Sequence, residues 1–129
     1  MQSMTPLYQP PVASTSFSGE ADFSYPVLRF QYRRAGVLYR SGIRFEMITA
    51  SRMRTERCCT VWHIEAYDTL VSVEGSAWLK EIVADTDETW RHKWKMNHFM
   101  IYLDSAGCFE FIAESWGVLP EEAGAWPEI

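Results

Sequence analysis

The sequence predicts an α+β fold: a mainly antiparallel curved sheet or partly open barrel of about six strands, with one main helix. Three observations carry that prediction. Several segments alternate apolar and polar residues with a period of two and are separated by turn residues. One segment, 77–84, switches to helical spacing behind a serine suited to capping. Large side chains are abundant: 47% of the 129 residues are apolar and 15% aromatic, enough for one core and too many for a disordered chain.

Residues 1–22 are rich in Pro, Ser and Thr and poor in apolar anchors. They are expected to form a flexible N-terminal arm, leaving 23–129 as a single globular domain. Over 25–33, Leu28, Phe30 and Tyr32 share one face and Arg29, Gln31 and Arg33 the other, which is the pattern of a half-buried strand. Arg34-Ala35-Gly36 follows as a turn, with a glycine for positive φ. The next strand directs Val37, Tyr39, Ile43, Phe45 and Met47 to the core and Leu38, Arg40, Arg44 and Glu46 away from it. Residues 49–55 read as a polar connection.

Over 57–67 the middle is apolar on both faces (Cys58, Cys59, Val61, Trp62, Ile64), which predicts a central third strand. A short strand is expected at 69–74. Gly75-Ser76 then opens the helix, whose stripe is Trp78, Leu79, Ile82 and Val83. Residues 97–103 and 108–114 flank Asp104-Ser105-Ala106-Gly107 as a hairpin. The acidic tail after Ser115 is expected to fold back through Trp116 and Leu119.

Charge is segregated. Eight of the twelve basic residues, all arginine, lie between Arg29 and Arg57, where only Glu46 and Glu56 oppose them. That segment is +6, residues 58–129 are −9, and the whole chain is −5. Arginine grips carboxylates and phosphates through paired hydrogen bonds, so the segment points to a charged partner or to ion pairing inside the protein. Net acidity speaks against nucleic acid as the partner. No apolar run approaches the roughly 18 residues that cross a bilayer, and the N-terminus has no leader-like pattern, so a cytoplasmic protein without a membrane partner is expected. Cys58, Cys59 and Cys108 are too few and too awkwardly placed for a disulfide framework and read as reduced, buried thiols.

Pairing 57–67 with the preceding strand about residue 52 sets Arg40 opposite Glu65 and Gly42 opposite His63. That register gathers a polar face of Arg29, Arg40, Arg44, His63, Glu65 and Tyr67, a candidate site for an anionic small molecule. Histidine beside a carboxylate suits general base chemistry, yet an H-x-E triplet arises readily by chance, and no catalytic residue is assigned. Glu88 and His92 have helical i, i+4 spacing, which more often marks a solvated pair than ligands, so neither metal nor cofactor is predicted. A Cys–His pair, Cys59 with His63 or Cys108 with His98, requires tertiary proximity. Trp90, Trp94 and Trp126 lie in polar surroundings and are candidate interface anchors, or else pin down the tail.

Two functions are compatible with these features. The first is a small, acidic, non-enzymatic interaction protein that binds, or binds and inhibits, another macromolecule, in particular a basic protein. The second is a sheet or barrel that binds, or acts on, an anionic small molecule through the arginine-rich face. A homodimer is compatible with the opposed charges of the two halves.

Overall fold

Alternation over residues 27–46 builds the first layer. β3 (Val27–Arg34) and β4 (Val37–Glu46) form a hairpin in unbroken register, from Val27 opposite Arg44 to Arg34 opposite Val37. Ala35 at φ 51° and Gly36 at φ 80° make its turn, the double positive φ whose twist suits two antiparallel strands. β2 (Phe17–Ser24) extends the sheet beyond β3. Along the other edge of β4, the tail runs as two short strands. β9 (Ser115–Val118) pairs with residues 43–46 and β10 (Glu122–Ala123) with Tyr39 and Arg40. Between them the Leu119 amide donates to Gly42 O at 2.9 Å. The computed structural model describes residues 1–11, 17–91, 93, 95–104 and 106–127, the side chains of 17–20 excepted.

The second layer is an antiparallel sheet in the order β1 (Ser3–Tyr8), β6 (Leu70–Glu74), β7 (Asn97–Leu103), β8 (Gly107–Ala113), β5 (Ala50–Arg54). The hairpin of β7 and β8 falls where the sequence places it, with Ser105 of its turn outside the described residues. Leu28, Phe30, Tyr32, Ile43 and Phe45 of the first sheet meet Leu70, Phe99, Ile101, Leu103, Phe109 and Phe111 of the second to form the main core. Phe45 and Phe111 stack across the layers, centroids 4.1 Å apart.

The second sheet is covered on its outer face too. Val71, Val73, Met100, Tyr102 and Cys108 pack there under Ala66 and Trp62. Those two come from a layer made of a 3-10 turn (Glu56–Cys58), α1 (Val61–Ile64) and the turn of residues 65–67 that follows it. α2 (Ala77–Asp85) starts as expected, with Ser76 Oγ accepting from the Leu79 amide at 3.0 Å, and α3 (Glu88–Arg91) follows it. Among the described residues no helix is long and apolar enough to cross a membrane.

Three expectations are corrected. Instead of about six strands in one curved sheet or barrel, the described residues hold ten, in two sheets that do not close. Residues 3–8 and 17–22 of the expected flexible arm belong to paired strands. They and β5 lie at sheet edges, where a strand needs fewer apolar residues than sequence patterning looks for. Residues 57–67 are not a strand. A short helix wedged against a sheet is also apolar on several sides, so the pattern cannot tell the two apart.

Candidate functional site

The outer face of the second sheet carries a buried polar cluster, and strand parity puts it there. Phe99, Ile101 and Leu103 of β7 and Phe109 and Phe111 of β8 face the main core. Their neighbours His98, Met100, Cys108 and Glu110 therefore point outward, beneath the helices. Glu110 is only 1% exposed, and an acid that deep requires partners. Arg52, directly opposite it on β5, donates from Nε to Oε2 at 2.8 Å and from Nη2 to Oε1 at 3.2 Å. His98 Nε2 lies 2.8 Å from Oε1. Burial alone raises this carboxyl, but the hydrogen bonds from His98 and Arg52 outweigh it and hold Glu110 at about 2.

An ionised Glu110 can only accept, so His98 Nε2 must carry a proton and donate. Its Nδ1 is 2.7 Å from Ser76 Oγ, which already accepts from Leu79. A continuous chain of hydrogen bonds therefore runs from the Leu79 amide through Ser76 Oγ and the His98 ring to Glu110. Trp78 of α2 roofs the cluster, edge-on to His98 with centroids 5.1 Å apart and with the Arg52 guanidinium 4.0 Å from its ring centroid. Ser76, His98 and Glu110 have the residue types of a hydrolytic triad, but all three are buried and the serine caps α2. A substrate carbonyl cannot reach that hydroxyl, so the arrangement rigidifies the sheet–helix contact rather than activating a nucleophile.

His63, on α1, joins the cluster from above. Its Nδ1 accepts from the Thr60 amide at 2.9 Å, doing from position N3 what Glu or Gln does in a capping box. Ligand-type atoms of His63, Cys108 and Glu110 all lie within 4.8 Å of one another. Burial lowers the His63 imidazole. Burial, and then Glu110, raise the Cys108 thiol far above its ordinary value. Cys59 packs against the same apolar cluster as Cys108.

The six residues expected to share an anion site are not brought together. Arg29, Arg40 and Arg44 lie on the first sheet, and each has an acidic partner: Asp22 at 2.6 Å, Glu122 at 2.9 Å and Glu46 at 2.9 Å. His63, Glu65 and Tyr67 belong to the α1 layer, over the far face of the second sheet. The expected register fails because 57–67 is not a strand: the edge of β4 meant for it is taken by the tail, with Arg40 opposite Glu122 and the Leu119 amide on Gly42 O, while on the β3 side Gln31 does lie opposite Arg40 as expected. Nor are all three thiols buried, since Cys58 is exposed and Cys59 partly so.

Trp126 is not an exposed anchor but pins the tail. Its indole N–H lies within hydrogen-bonding reach of Phe30 O (3.1 Å) and Ser41 O (2.9 Å), and the guanidiniums of Arg29 and Arg40 lie over its ring. Trp90 is half-exposed, with the Lys93 ammonium over its ring. Trp94 and His92 fall outside the described residues.

Sequence reasoning passed over Glu110, His98, Arg52 and Ser76 as a group. One signal was available: Glu110 is a lone acid within the apolar run Cys108-Phe109-Glu110-Phe111-Ile112, at a position whose parity matches no solvent face. The outer side of the α1 layer is a different surface. It exposes Val61 (75%), Ile64 (46%) and Tyr67 (42%) beside the exposed Glu65. A hollow of about 660 Å³, lined by Thr55, Glu56, Arg57 and Ala106, opens by the 3-10 turn that begins this layer. Compared with protein-family models, with curated proteins and with solved structures, the chain gives no match.

Proposed function

We propose that this chain is a non-enzymatic interaction module that binds a protein partner through the outer side of the α1 layer. The observation that carries the reading is the exposure of Val61, Ile64 and Tyr67 on one short segment packed over a covered sheet. Apolar side chains left in water on a firm support are the usual core of a docking patch. Glu56 and Glu65 flank them on the same segment, with the exposed Arg57 beside Glu56, and the chain as a whole is net acidic, which favours a partner with basic residues around an apolar centre.

The anionic-ligand reading finds less support. It needs arginines that converge with their charge unspent, whereas Arg29, Arg34, Arg40, Arg44 and Arg52 are each paired with an acid of the same chain. A comparison of captured proteins tests the interaction reading, with the wild type and Val61→Asp/Ile64→Asp as matched baits. Both positions are exposed, so the variant is expected to fold normally and to lose at least about tenfold of a salt-sensitive capture, as removing two apolar anchors does. Equal capture by the two baits contradicts the docking face.

A further inference from the structure

The geometry points to a structural site for a thiophilic divalent metal, zinc in the first instance, formed by His63, Cys108 and Glu110 between the α1 layer and the second sheet. Ligand-type atoms of these three residues lie within 4.8 Å of one another, and all three residues are buried. Thiolate, imidazole and carboxylate together suit zinc or cobalt(II), whereas calcium and magnesium take oxygen ligands. His63 and Cys108 come from elements far apart in sequence, so a metal here would staple the layer to the sheet.

The surrounding groups are those a metal site requires. Arg52 and His98 hydrogen-bond Glu110 and fix its orientation, as outer partners of a ligating carboxylate do. In the metal-free tautomer His63 Nδ1 accepts from the Thr60 amide at 2.9 Å, with Thr60 Oγ1 3.0 Å from the same nitrogen. Ligation through Nε2 requires the proton to move to Nδ1, which then donates to Thr60 Oγ1 while the amide gives up its bond to the ring. Binding releases the Cys108 thiol proton to solvent as the sulfur–metal bond forms, and the resulting anionic pair of Cys108 and Glu110 balances the divalent charge. The site stands whether or not the outer face of the layer docks a partner.

Cobalt(II) titration of the full chain, followed by absorbance, tests the site. The wild type is expected to bind one cobalt per chain with a near-ultraviolet thiolate-to-metal band, to exchange it for zinc, and to melt several degrees higher with excess zinc. Cys108→Ser should abolish the band, while Cys58→Ser, at an exposed thiol, should keep it. His63→Gln guards against a variant that fails to fold, because glutamine restores an ordinary capping box behind Thr60 while removing the imidazole. It should preserve the circular dichroism spectrum and weaken cobalt at least about tenfold. No thiolate band in the wild type, a band that survives Cys108→Ser, or unchanged affinity in His63→Gln overturns the site.

Discussion

At the scale of single residues, Glu110 organises the outer face of the second sheet. It ties β8 to β5 through Arg52 and to β7 through His98, and His98 passes the connection to α2 through Ser76. Removing one member of such a network strands the others, which matters more than the bond itself. Glu110→Gln keeps the volume but leaves the Arg52 guanidinium without a counter-charge. Because that side chain is 42% exposed, water recovers part of the loss, and a destabilisation of about 2 kcal/mol is expected at neutral pH. The acid limb should change as well. A carboxyl held at about 2 when folded, against 4.5 ordinarily, contributes stability that is complete above 4.5 and lost as pH falls toward 2. Denaturant titrations in chelator at pH 7, 4 and 3 should therefore show a steeper acid loss for the wild type than for the variant.

At the scale of elements, what was legible follows from how each element is buried. β3 and β4 show period-two alternation of their apolar residues because one face of their sheet meets the core, and Ala35-Gly36 gives their turn away. The hairpin of β7 and β8 is apolar on both faces because helices cover its back, and α2 carries a capping serine. β1 and β5 were illegible for the opposite reason: each has a sheet partner on one side only, and their exposed residues read as an arm and a loop. The polar cluster was legible only as one misplaced acid, since Arg52, Ser76, His98 and Glu110 meet through tertiary pairing that no local spacing encodes. β1 gives a direct check. Ser3 to Tyr8 pairs with the edge of β6, and Met4 packs on the outer cluster. Deleting residues 1–8 uncovers that edge and should lower the melting temperature by several degrees, for a loss of about 1–2 kcal/mol. An unchanged melting temperature means that β1 is dispensable.

At the scale of the whole molecule, the segregation of charge along the chain is largely undone by folding. The arginine-rich strands sit beside the acidic tail: Arg34 pairs with Glu121 and Arg40 with Glu122, while Arg52 is spent on Glu110. Exposed pairs of this kind contribute about 0–1 kcal/mol each, but they do neutralise the face that the sequence offered as an anion site. What is left for recognition is the net acidity and the apolar outer side of the α1 layer. A thermal-shift series at low salt, with anionic metabolites on one arm and basic polypeptides on the other, separates macromolecular recognition from small-anion binding most directly. The expected result is silence from every small anion and a rise in midpoint with a basic polypeptide that is lost in Val61→Asp/Ile64→Asp. A rise of several degrees with one specific anion, abolished by Arg40→Ala in a protein that still folds, would contradict the proposed function and return the arginine face to the centre of it.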